Sequence, residues 1–348
     1  MVGPDGALPL PWLAPVLQHT LATQRAHALL MHGPQGVGQF ELALTIAQAW
    51  LCEGAPGAVQ PCGHCASCRL VQAHSHPDLL VLLPEVLQLS LGWASADDEA
   101  AERKTKPSKD IKVEAVRDAV GFAQITSARG RCKVVVLHPA ERMNHVSANT
   151  LLKTLEEPPG AARFVLSCAA PEALLPTIRS RCQRVTLGLP PQDQASAWLA
   201  QQGVAEPGVM LAATGGQPQL ALEWAQQGVD AALWGRLPAL VRQGESAALA
   251  AWPLPRVVDA LQKLCHDAAC LASDAPPRYF AAVSLPAGAD IRALAGWMRE
   301  LCRIARHAEH PWNAALVVES LVQQGQRALK GAARHRPSRQ DQSVHSRA

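Results

Sequence analysis

Apolar positions in the first half of the chain alternate between short runs and helical stripes. Ala28-Leu29-Leu30-Met31 is a short run that ends in a glycine-rich loop. Beyond the loop, Leu42, Ala43, Ile46, Ala47 and Trp50 recur on one helix face. Trp12, Val16 and Leu17 predict a helix over residues 12–23, behind a Gly- and Pro-rich start (1–11) that reads as a loose lead-in. Residues 78–83 read as a buried strand stopped by Pro84, and residues 133–137 as a β-branched strand. A helix opens between them at residues 111–117. Ser147 is a candidate N-cap for a helix that carries Ala148, Leu151, Leu152 and Leu155 on one face and stops at Pro158-Pro159. Residues 163–167 and 185–187 complete the set of strands. Strands alternating with helices predict an α/β core whose parallel sheet is covered on both faces.

After Pro190-Pro191 the β-branched runs vanish. Ala-, Leu- and Gln-rich stretches predict helices from about 192 to 330, broken at Gly215-Gly216, Pro253, Pro276-Pro277 and Pro311. Residues 92–110 are polar and read as an exposed, mobile loop. Residues 331–348 carry several arginines and almost no apolar side chain, and read as a disordered basic tail.

Composition narrows the class. The chain has 348 residues, 48% hydrophobic and 18% charged, with a formal net charge of +3, a globular balance without a strong nucleic-acid signal. Nine of its fourteen aromatic residues are Trp, scattered without interleaved basic residues, so they read as core more than as base-stacking platforms. No run of 18 apolar residues and no basic-then-apolar leader occurs, which predicts a cytoplasmic protein without a membrane span.

Candidate chemistry lies in three places. Gly33, Gly36 and Gly38 follow the first apolar run and precede a helix, the setting of a phosphate-cradling loop. Such a loop ends in Gly-Lys-Ser/Thr, whose lysine reaches the phosphates and whose hydroxyl holds Mg²⁺. Here Gln39 and Phe40 stand instead. The acids expected after the strand at 133–137 are replaced by His138 and Pro139. Two motifs have lost their charged residues, so ATP hydrolysis by this chain is not expected. The glycines either make a plain turn or support residual nucleotide binding.

Cys52, Cys62, Cys65 and Cys68 form the second candidate. Two residues between cysteines let a tight turn aim both sulfurs at one ion, and four thiolates close a tetrahedral, structural Zn²⁺ site without an open catalytic position. His64 is a possible substitute ligand. The third candidate, Ser180-Arg181-Cys182, read alone is a solvated arginine beside Arg179. Its other reading is a cation supplied in trans to a neighbour's γ-phosphate.

Ser147-Ala148-Asn149-Thr150-Leu151-Leu152-Lys153-Thr154-Leu155-Glu156-Glu157-Pro158-Pro159, followed by Arg179-Ser180-Arg181-Cys182, resembles the signature of clamp-loader AAA+ subunits. The four-cysteine module, the altered glycine loop, Pro11-Trp12-Leu13 and His76-Pro77-Asp78 fit the same family, and the likeness covers about residues 10–230. The resemblance implies an AAA+ P-loop-type core with a parallel sheet (1–189, with the zinc module at 52–68), an all-α lid (190–228) and an all-α collar domain (229–330), followed by the tail (331–348). It implies a stationary, non-hydrolysing subunit of a bacterial clamp loader, a hetero-pentamer with gamma/tau-type motor subunits and a delta subunit. That assembly loads the sliding clamp on primer-template DNA for the replicative DNA polymerase. Arg181 would serve as an arginine finger for an adjacent motor subunit. Gln39, His138/Pro139 and Gln219 (after Gly216) stand where a motor subunit carries its nucleotide-binding groups. Two other readings are an ATP-hydrolysing motor subunit and a zinc-dependent single-strand nucleic-acid binder.

Overall fold

The computed structural model describes residues 1–55, 60–93, 107–286, 288–307 and 312–330. The bulk of the 92–110 loop and the whole 331–348 tail lie outside the described residues, as does Pro311. The chain divides into two compact units, residues 1–203 with 216–223, and residues 204–215 with 224 onward.

Five parallel strands form the centre of the first unit, in the order β2-β3-β4-β1-β5: β1 Ala28–His32, β2 Leu79–Leu82, β3 Val134–Leu137, β4 Arg163–Cys168 and β5 Gln183–Thr186. Strands buried on both faces read as unbroken apolar runs, and β3 is buried at all four positions. Side chains alternate across a strand. Leu29, Met31, Val134, Val136 and Val165 therefore share one core with α1 (Ala14–Thr23) and α2 (Gln39–Leu51). Ala28, Leu30, Val135, Leu137, Phe164 and Leu166 share the other with α5 (Val113–Gln124) and α6 (His145–Glu156). The remaining short helices before α5 are α3 (Ala66–Gln72) and α4 (Glu85–Ser90). α7 (Pro176–Arg179) and α8 (Gln192–Gln201) follow β4 and β5.

Two local expectations are corrected. The cap of α6 is Asn144, whose Oδ1 accepts the Ser147 N–H at 2.9 Å, while the Ser147 hydroxyl donates to the Ile111 carbonyl at 3.1 Å. His145 and Val146 are helical but exposed, so the apolar stripe marks the first buried position and not the first helical one. The start of the chain is not loose. Val2 is 2% exposed, and its backbone bonds Gln48 (N–H to Oε1 2.8 Å, carbonyl from Nε2 3.0 Å) and Gln72 (2.9 Å).

The second unit contains α9 (Pro207–Ala213), α11 (Ala231–Gln243), α12 (Leu254–Ala272), α13 (Ile291–Arg306) and α14 (Ala314–Leu329), while α10 (Pro218–Gln226) spans the division. Its described residues hold no strand. Asp267 is fully buried, and its carboxylate accepts the backbone N–H groups of Arg278, Tyr279 and Phe280 at 3.0, 2.7 and 2.8 Å, which offsets the cost of burying it.

Candidate functional site

The glycine loop leaves the carboxyl end of β1. Gly36 (φ 73°) and Gly38 (φ 104°) sit in the left-handed region, and a Cβ on Gly38 would lie 2.5 Å from Leu10 Cδ1. Trp12 Nε1 donates to the Val37 carbonyl at 2.8 Å and holds the loop from behind. The loop thus has left-handed glycines between a strand and a helix and is held in place by Trp12.

Its side chains turn inward. Gln39 is 6% exposed, and its Nε2 donates to the loop's own carbonyls at Gly33 (2.7 Å) and Pro34 (2.5 Å). Phe40 stacks on His138 with ring centroids 4.6 Å apart. His138 Nδ1 lies 2.9 Å from Ser167 Oγ, and burial pushes its pKa down to about 4, so it is neutral near pH 7. The Gln219 N–H donates to the Gly36 carbonyl at 3.1 Å, and its side-chain amide to Glu41 Oε1 at 2.6 Å. Gln39, Phe40, His138, Pro139 and Gln219 line one cleft of about 520 Å³, together with Glu41, Glu141 and Arg142. Positions 39, 138 and 219 lie far apart in sequence, and the fold brings them together. None of the three carries a charge suited to a polyphosphate or its Mg²⁺, and three carboxylates in the lining (Glu41, Glu141 and Glu223) stand against one arginine.

The cysteines converge as their spacing predicts. Sulfur–sulfur distances are 3.5 Å (Cys52–Cys62), 3.9 Å (Cys62–Cys68) and 3.9 Å (Cys52–Cys65). Four thiolates at about 2.3 Å from one tetrahedral ion stand about 3.8 Å apart. Backbone N–H groups of Gly54 and Cys62 point at Cys52 Sγ (3.3 and 3.4 Å), that of Cys65 at Cys62 Sγ and that of Cys68 at Cys65 Sγ (both 3.4 Å). Burial pushes the Cys62 thiol up, but N–H groups of His64 and Cys65 and the neighbouring thiols outweigh it and bring it down to about 6. Gly63 (φ 79°) makes the turn, where a Cβ would meet the Gly3 carbonyl at 2.1 Å. These four residues could hold one metal ion. His64 is exposed, with Nδ1 2.8 Å from the Cys62 carbonyl, and is not among them.

A network that the sequence did not single out fixes this module to the sheet edge. Arg129 bonds both carboxylate oxygens of Glu53 (2.7 and 3.0 Å) and Ser67 Oγ (3.1 Å). Ser67 Oγ meets His76 Nε2 at 3.1 Å, and His76 Nδ1 accepts the Asp78 N–H at 3.0 Å. Asp78, fully buried, pairs with Lys133 at 3.0 Å and accepts the N–H groups of Ala128 and Arg129. The signal was present in His76-Pro77-Asp78, but its partners come from 50 residues downstream.

Arg181 follows α7. Cys182 is buried in the core shared with α5 and α6, where burial pushes its thiol up to about 12, and it anchors the segment there. Arg181 remains about one-third exposed, with its guanidinium on Glu156, the Thr177 carbonyl (2.8 Å) and Ser180 Oγ (3.4 Å). Glu156, at the end of α6, is therefore its ion-pair partner.

A five-stranded parallel sheet in this order, with a glycine loop after its first strand and a helical second unit, defines the AAA+ P-loop class. A solved DNA polymerase III gamma subunit-related protein from Thermotoga maritima aligns with a TM-score of 0.50 at 16% identity, over 90% of this chain and 98% of that one, a likeness of fold. The chain belongs to the family described as DNA polymerase III, delta subunit, whose model matches residues 11–190. It is 40% identical to the DNA polymerase III subunit delta' of Pseudomonas aeruginosa over 210 residues (59% of this chain, 58% of that protein). It is 35% identical to the subunit delta' of Escherichia coli over 219 residues (61% and 59%). The chain thus spans somewhat less than three-fifths of the length of these relatives.

Proposed function

We propose that the chain is the non-hydrolysing, stator-like subunit of a bacterial clamp loader, and that Arg181 acts in trans on the ATP of a neighbouring gamma/tau-type motor subunit. The observation that carries this reading is the inward closure of its own cleft. Gln39 is spent on loop carbonyls, Phe40 on His138, and Gln219 on the loop and Glu41. A transferring phosphoryl group needs cations and a metal held against it, and this cleft offers neither a lysine nor a Mg²⁺ hydroxyl. An ATP-hydrolysing reading has no residue to stand on at these positions.

In this reading the core (1–189), lid (190–228) and collar (229–330) join a hetero-pentamer with motor subunits and a delta subunit. The assembly places the sliding clamp on primed DNA. The four cysteines hold a structural Zn²⁺, whose role is to close the segment between α2 and α3; with all four ligand positions taken it supplies no chemistry. Parting Arg181 from Glu156 is the change that would free its guanidinium for a phosphate.

Reconstitution with motor subunits tests this. Arg181→Ala should leave assembly intact and lower DNA-stimulated ATP turnover by about 10³-fold or more, the range of arginine-finger losses. Unchanged turnover in a fully assembled complex removes that role, and ATP hydrolysis by the purified chain alone removes the stator reading.

A further inference from the structure

A second cavity, of about 510 Å³, opens at the amino ends of β1, β3 and β4, the opposite end of the strands from the glycine loop. It is lined by Arg25, which precedes β1, by Arg131, which precedes β3, and by Arg163, the first residue of β4. Trp50 from the end of α2 lines it too, with the Arg163 guanidinium 4.9 Å from its ring. The lining contains no carboxylate. Among the described residues none of the three arginines is in an ion pair.

Arg25 and Arg131 are exposed and Arg163 is half-buried, and Arg25 Nη1 donates to the carbonyls of Ala22 (3.3 Å) and Gln24 (3.0 Å), so the lining is a positive surface with no carboxylate to balance it. The end of α2 contributes about half a negative charge at most, far short of three positive ones. Guanidinium forks match phosphate oxygens in pairs. The volume falls within the range of small-ligand sites, about 300–1,000 Å³. An indole ring and the Gln60 amide in the same lining are the groups that a nucleobase uses, by stacking and by hydrogen bonding. Positions 25, 50, 131 and 163 are too far apart in sequence to show as a basic–aromatic pattern; the sheet topology assembles them.

We infer that this cavity binds the phosphate of a nucleotide unit, either free or within a single strand, at a site separate from the closed cleft. The site is on the first unit alone and does not depend on the arginine-finger reading.

The test is phenylglyoxal modification of the full-length chain, read at each arginine by mass spectrometry. The probes are a deoxynucleoside monophosphate, a short single-stranded oligonucleotide, and potassium chloride at matched ionic strength. Arg25, Arg131 and Arg163 should be protected about fivefold or more by a nucleotide probe and not by the salt, with Arg236 of the second unit unchanged. Protection by both nucleotide probes assigns a free-nucleotide site, and protection by the oligonucleotide alone assigns a strand site. No protection by either, or equal protection by potassium chloride, overturns the inference. Arg131→Gln, at an exposed position, should weaken oligonucleotide binding about tenfold and lower its salt slope by about 0.7. Unaltered affinity and slope in that variant would likewise overturn it.

Discussion

The glycine loop and the cysteine module lie on the two ends of α2, and they differ in where their side chains point. The loop keeps the left-handed glycines and the strand–turn–helix setting of a phosphate site, yet Gln39 donates to carbonyls of the same loop. In the module the reverse holds. Four sulfurs face a common centre, and the surrounding backbone N–H groups face the sulfurs. In the first, the Gln39 amide bonds carbonyls of its own loop; the second is a set of donors that a metal ion would complete. Backbone geometry and side-chain direction are thus separate pieces of information, and here they differ.

The largest expected effect is on the module. Metal analysis of protein purified under reducing conditions should give about one Zn²⁺ per chain, and Cys65→Ser should bring it close to zero. Structural zinc contributes about 10–16 kcal/mol in small zinc peptides, and here the sheet shares the load, so the fold should persist while the module opens. Proteolysis between residues 52 and 68 should become fast in the variant and on chelation. A metal-free preparation that resists proteolysis there would put the module on the same footing as the closed loop.

How much of this was legible depends on whether a feature is set by neighbours in sequence. The central strands could be read because β1, β3 and β4 are buried on both faces and leave continuous apolar runs. β5 was placed two residues late, because Gln183 and Arg184 at this edge carry no apolar signal. The cysteine spacing fixed its own geometry, since a two-residue gap leaves few ways to turn. The anchored N-terminus was illegible: what holds Val2 are Gln48 and Gln72, residues that look like ordinary surface glutamines. The same is true of the pairing of Arg181 with Glu156. The loss of lysine at position 39 was visible, but the inward turn of Gln39 was not, because direction comes from the tertiary fold.

A smaller effect separates the two regions by pH. His138 has an ordinary value of 6.5 and is lowered to about 4 by burial beneath Phe40. The native state binds fewer protons than the unfolded chain between these values, so its contribution is full above pH 6.5 and is lost as pH falls toward 4. The span corresponds to about 3 kcal/mol. Urea midpoints from pH 7 to pH 4 should fall, and His138→Phe should flatten that fall. An equally steep decline in the variant would place the acid sensitivity elsewhere.

The smallest effect bears most directly on the loop. Gln39→Ala removes both donors to the Gly33 and Pro34 carbonyls and should cost about 1–2 kcal/mol, the usual loss for buried hydrogen bonds. Gln39→Glu sets a carboxylate against the same two carbonyls and should cost more. Gln39→Lys is the sharper case, because an ammonium can donate to these carbonyls as the amide does. If it does so, the urea midpoint stays near that of the parent, and binding of a fluorescent ATP analogue is no stronger than in the parent. If instead the lysine alone restores binding, Phe40, His138 and Gln219 do not close the cleft, and the contrast between a spent site and a waiting one reduces to a single side chain.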